Sequence, residues 1–162
     1  MNASAVADWT KSIFMGLMYS RGKYSALRSL FIHDAHEYAG PHGRYLEIFR
    51  LLKTIPAVAA ELENDLKKVD GYDLAQLAAL YGKSELLEEL VEAHNYPIEK
   101  RHQSGDSLLM MAINTNHISS NPLTCVYYLI QKGADVNYVN GHSFALYKAV
   151  DCQYHKASLT LQ

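Results

Sequence analysis

The sequence predicts an all-α protein built as an array of helix–turn–helix repeats, a solenoid with an N-terminal capping helix. Three observations carry this reading. Apolar residues recur at three- and four-residue spacing with little sustained alternation, the period of helices rather than strands. The helical stretches are short and keep stopping at turn residues such as Gly71, Gly82, Gly105, Gly133 and Gly141. One stretch also returns 34 residues later, from Gly71 to Gly105.

In chain order, residues 1–20 come first, with Trp9, Ile13, Phe14, Leu17 and Met18 on one side of a plausible amphipathic helix. Its predicted role is to cover the open end of the first helix pair, as repeat arrays require. Lys11, Arg21 and Lys23 are too sparse to make a membrane-binding basic face. The repeat array is then expected over 21–162. An irregular first copy, 21–67, carries the stripes Leu27, Leu30, Phe31 and Leu46, Phe49, Leu52, and Pro56 opens a more polar helix that ends near Lys68. The next copies are expected at 68–99 and 100–137, with a last or truncated copy at 138–162. Within them helices are predicted near 73–81, 84–94, 107–115, 123–132 and 144–152.

Composition excludes several classes of function. A net charge of −2 supplies no basic field for phosphate backbones, so nucleic acid is not an expected partner. Two cysteines, Cys125 and Cys152, are too few for a disulfide framework or a four-thiolate zinc site. The first residues lack the basic start and apolar run of a secretion signal, and no stretch reaches the roughly 18 apolar residues that would span a bilayer. A soluble, cytoplasmic protein with no membrane partner is expected.

The recurrence itself is specific. Gly71-Tyr-Asp-Leu-Ala-Gln-Leu-Ala-Ala-Leu-Tyr-Gly82 leads into Glu85-Leu-Leu-Glu-Glu-Leu-Val91, and Gly105-Asp-Ser-Leu-Leu-Met-Met-Ala-Ile113 begins the second copy. That copy ends in Gly133-Ala-Asp-Val-Asn137. These segments resemble the ankyrin repeat, whose pattern runs G-x-T-P-L-H-x-A-A, a glycine turn, a second helix, then G-A-D-V-N. The residues also make physical sense. Gly133 suits a left-handed helix cap, Asp135 and Asn137 can bond neighbouring backbone groups, and Ser107 stands where an N-cap is needed. Ala78, Ala79 and Ala112 let paired helices approach closely. Leu108 and Met110 occupy the family's proline and histidine places, and Thr115–Asn121 is an insertion between helices.

The resemblance implies a protein–protein interaction scaffold, not an enzyme, that grips a partner protein on a concave face of turn tips and first helices. Carried over by position, that face comprises Tyr72, Leu80 and Tyr81 in one copy. In the next it comprises the tip Lys100, Arg101, His102, Gln103 and Ser104, with Asp106 and Asn114. After Asn137 it comprises Tyr138, Asn140 and Ser143. Tyrosine and arginine are the side chains that most often carry interface energy. Tyr81 can equally lie against an adjacent helix. No cofactor and no small-molecule substrate are implied. The irregular copies are also similar to those of ankyrin-bearing effectors that intracellular bacteria deliver to host cells, and a binding module of a larger enzyme is a further reading.

Catalytic and metal chemistry find little support. His33 and His36, with Asp34, Glu37 and His42 close by, have a spacing that can converge on zinc, but not the i, i+4 pair of helical metalloproteases. Cys152 lies near Asp151 and His155 without a geometry that would activate it, and Cys125 falls at a core position. No phosphate-binding glycine loop is present.

Overall fold

The structure is a computed structural model that describes residues 46, 49–50, 53–68, 71–114 and 123–152. The expected cap at 1–20, its boundary at 20/21, the histidines at 33–42 and the insertion at 115–121 lie outside these residues. The chain divides into two units, 1–64 and 65–162. Helix α1, Pro56–Leu66, begins with proline at its first turn, where the missing N–H would have had no helical partner. It buries Val58 and Leu62, four residues apart on one face.

The second unit contains α2 (Leu74–Leu80), α3 (Ser84–His94), α4 (Leu108–Ile113), α5 (Leu123–Gln131), two short strands β1 (Val139–Asn140) and β2 (Ser143–Phe144), and α6 (Ala145–Asp151). Helix α2 pairs with α3 and α4 with α5, while α2, α4 and α6 stack in one row and α3 with α5 in a second. This is the two-layer helical repeat that the sequence predicts. All six residues of α4 are buried, because this helix packs on α2, α5 and α6 at once. Small residues occur where helices close in: Ala75, Ala78 and Ala79 on α2, and Ala145 and Ala149 on α6, are 1% exposed or less.

The helix ends follow local chemistry. Ser107 Oγ accepts the Met110 N–H at 3.3 Å, the cap expected from sequence. After α5, Gly133 takes φ +87°; the Ala134 N–H then bonds the Leu129 carbonyl and the Gly133 N–H the Ile130 carbonyl, both at 3.0 Å. These are the paired bonds of a left-handed helix stop. Asp135 Oδ1 accepts the Asn137 N–H at 2.9 Å and holds the following turn.

One departure from an all-helical chain is the antiparallel hairpin of β1 and β2, in register Val139↔Phe144 and Asn140↔Ser143 around the turn Gly141-His142. Two residues per strand are too few to leave an alternating signature in the sequence.

Gly105 also has positive φ, +86°, and a Cβ there would stand 2.5 Å from Asn140 Oδ1, whereas at Gly133 it would meet nothing within 4 Å. Both alanine substitutions force a side chain into the left-handed region, at about 1–2 kcal/mol, and only Gly105→Ala must also displace Asn140. Chemical denaturation should therefore show Gly105→Ala as the more damaging of the two. Equal losses would mean that the Asn140 contact contributes nothing.

Candidate partner-binding face

Three turn tips precede α2, α4 and α6, and bonds between successive copies fix the second and third of them. Lys100 Nζ donates to the Leu66 carbonyl, 34 residues back, at 2.6 Å. The Asp135 N–H donates to Glu99, 36 residues back, at 2.9 Å. Asn140 Nδ2 donates to the Ser104 carbonyl, also 36 back, at 2.9 Å. Bonds spanning 34 to 36 residues, about one repeat, hold the second and third tips to segments one repeat earlier.

The anchoring is strongest at the start of α2. Asp73, fully buried, accepts the Gln76 N–H at 2.9 Å, and the Gln76 side chain accepts the Asp73 N–H at 3.1 Å, a reciprocal cap. These two residues stand at the threonine and histidine places of the repeat pattern. Asp73 Oδ2 also accepts the Tyr96 hydroxyl at 2.8 Å and Lys100 Nζ at 2.7 Å. Burial first, and then the Asp73 charge, hold the Tyr96 phenol far above its usual range, so it remains a donor. Asp65 accepts the Leu74 N–H at 2.6 Å, so two carboxylates meet the helix's positive end.

The residues singled out from the sequence separate into two groups. Lys100 is committed to Asp73 and Leu66. Asp106 accepts Asn140 Nδ2 at 3.1 Å and Lys148 Nζ at 3.2 Å. The Tyr138 hydroxyl donates to the Gly105 carbonyl at 3.0 Å, and the Arg101 guanidinium lies 3.1 Å from the Tyr138 ring centre while pairing with Glu99. These side chains join one copy to another. His102 is buried: its ring stacks on Tyr72 at 4.1 Å and 7°, and its Nδ1 accepts the Ser104 N–H at 3.1 Å. That bond places the neutral ring's proton on Nε2. Neither His102 Nε2 nor Arg101 Nη1 has an acceptor among the described residues.

The remaining residues face outward. Tyr72, Gln103, Ser104 and Asn114 are exposed, while Leu80, Tyr81 and Ser143 are half-buried. Tyr81 closes α2 as its C-cap. The sequence reading overlooked Asp73 and Lys148, and it overlooked Tyr147 and Val150, which are exposed on α6. Asp73-Leu-Ala-Gln76 carries the signature of a reciprocal cap and could have been found. The partner of Lys148 depends on a contact 42 residues away, which no local pattern contains.

Reactive chemistry is not assembled among the described residues. Cys125 is fully buried, and burial pushes its thiol up to about 12, which keeps it protonated and inert. Cys152 caps α6 and lies 3.8 Å from Asn114 Oδ1; His155 lies outside the described residues. Among the described residues no group of three or more histidine, cysteine or acidic side chains is placed to hold a metal, and no helix is long and apolar enough to cross a membrane.

Comparisons with known proteins agree with this architecture. The family model described as ankyrin repeats (3 copies) matches residues 32–140 and 75–161. A human ankyrin repeat domain-containing protein 53 is 33% identical over 67 residues, 41% of this chain and 12% of that protein. An alpha-latrocrustotoxin from Latrodectus tredecimguttatus is 38% identical over 71 residues, 44% of this chain and 5% of the toxin. The chain thus spans a small fraction of either relative's length, and no solved structure matches it significantly. With family repeats matched across most of its length and the same paired helices and capped turns in its structure, the chain belongs to the ankyrin-repeat family.

Proposed function

We propose that this chain binds a partner protein through the face formed by its turn tips and first helices. Ankyrin repeats are generally protein–protein interaction modules and generally not catalysts. The observation that carries the reading for this chain is a division of labour along the tips. Lys100, Asp106, Tyr138 and Asn140 fix the tips to one another. Tyr72, Gln103, Ser104 and Asn114 stay exposed beside them. Contact groups mounted on a bonded frame lose little conformational freedom on association, which favours affinity.

The test separates contact from frame. A Gln103→Glu, Asn114→Lys variant should melt within a few degrees of wild type, since surface changes cost little. In affinity capture from the native lysate it should lose the proteins that wild type recovers. Equal recovery by the two forms would refute the assignment of this face.

A further inference from the structure

Charge is distributed unevenly between the two helix layers. The first helices α2 and α4 contain no charged residue, whereas the second helix α3 carries Glu85, Glu88, Glu89 and Glu92. At the tip before α4 the charges are matched inside the molecule. Lys100 meets Asp73 at 2.7 Å, and Asp106 meets Lys148 of α6 at 3.2 Å. Arg101 meets Glu99 at 3.1 Å while covering the Tyr138 ring. The side chains of the Lys100–Asp73 and Lys148–Asp106 pairs are 25% exposed or less. Among the described residues, the exposed charges outside these pairs, Lys67, Asp135 and Asp151, lie towards the two ends of the face. What the middle presents is neutral: Tyr72, Gln103, Ser104 and Asn114 are exposed, and Leu80 and Tyr81 half-buried.

We propose that the partner segment seated on this face is an uncharged stretch of protein chain, rich in amide and hydroxyl groups and carrying an apolar side chain. The inference rests on the partner-binding reading above and names the chemistry of the partner. A charged side chain brought against the middle of the face loses its water and finds the nearby counter-charges already committed. A neutral polar group that meets Gln103, Ser104 or Asn114 exchanges one hydrogen bond for another and avoids that penalty. The internal ion pairs therefore work as a filter, the rejecting element of a specific interface. Without unpaired charge at the centre, long-range attraction contributes little to association.

Random peptides displayed on phage and selected on the immobilised full chain provide the probe. The enriched peptides should lack charged residues at their shared positions, and the Gln103→Glu, Asn114→Lys variant should not hold them. Their affinity should weaken by less than about twofold between about 0.1 and 1 M salt, where the screening length falls from ~10 to ~3 Å. Asp106→Asn keeps an acceptor for Asn140 but leaves Lys148 without its counter-charge, so peptides selected on it should acquire aspartate or glutamate. If that variant does not fold, the wild-type selection and its salt response decide alone. Charged peptides that the double variant loses, or an affinity that falls by about tenfold over the same salt range, overturn the uncharged partner and leave the face itself standing. An unchanged selection on folded Asp106→Asn overturns the filter. Peptides held equally by wild type and the double variant refute the face and this inference together, and a selection that enriches nothing overturns this inference.

Discussion

Replacing Asp73 by alanine is expected to destabilise the protein by about 3–5 kcal/mol, the loss typical of breaking a buried ion pair from one side. The carboxylate is fully buried and serves three donors at once: the Gln76 N–H, the Tyr96 hydroxyl and Lys100 Nζ. Alanine would strip α2 of its N-cap, leave a buried phenol without its acceptor, and leave a lysine whose side chain is only 18% exposed without its counter-charge. Asparagine at the same position keeps the cap and loses the charge, so its effect should be smaller. Urea denaturation of the two variants measures the difference. A loss below about 1 kcal/mol for Asp73→Ala, the worth of one ordinary hydrogen bond, would show that the three contacts do not act together.

Leu108→Ala is expected to cost about 2–5 kcal/mol, the range for truncating a buried leucine in a core that cannot fully collapse. Leu108 is completely buried at the start of α4, whose neighbours α2, α5 and α6 surround it. The informative control is Phe144→Ala, the same place one copy later. Phe144 is 38% exposed, so its truncation should cost distinctly less. If the two losses were equal, α6 would have a cover that its exposure does not show.

Much of this architecture was legible before any coordinates. Gly133–Asn137 states a helix stop and a turn in five residues, and the structure places each bond where those side chains imply it. Ser107 could be read as a cap because a cap is a contact between residues three apart. What local pattern does not contain is the partner of a side chain in another copy. Lys100 and Asn140 read as exposed tip residues, yet their hydrogen bonds reach back 34 and 36 residues. Both are polar and lie in turns, so composition alone cannot tell a bridge from a solvated group. The end face on α6 was hidden for the opposite reason. Phe144, Tyr147 and Val150 have the spacing of core residues, and only the stacking order of the helices reveals that nothing follows to bury them among the described residues.

The knot at Asp73 also bears on how the chain is assembled. The start of α2 is completed by Asp65 before it and by Tyr96 and Lys100 after it. The smallest stretch able to satisfy its own bonds is therefore displaced from the period written in the sequence, and borrows Asp65 from the copy before it and Lys100 from the copy that comes next. During synthesis the first of these helices cannot be finished until residue 100 has left the ribosome. Adjoining copies must then mature together, as links closed by the link that follows them.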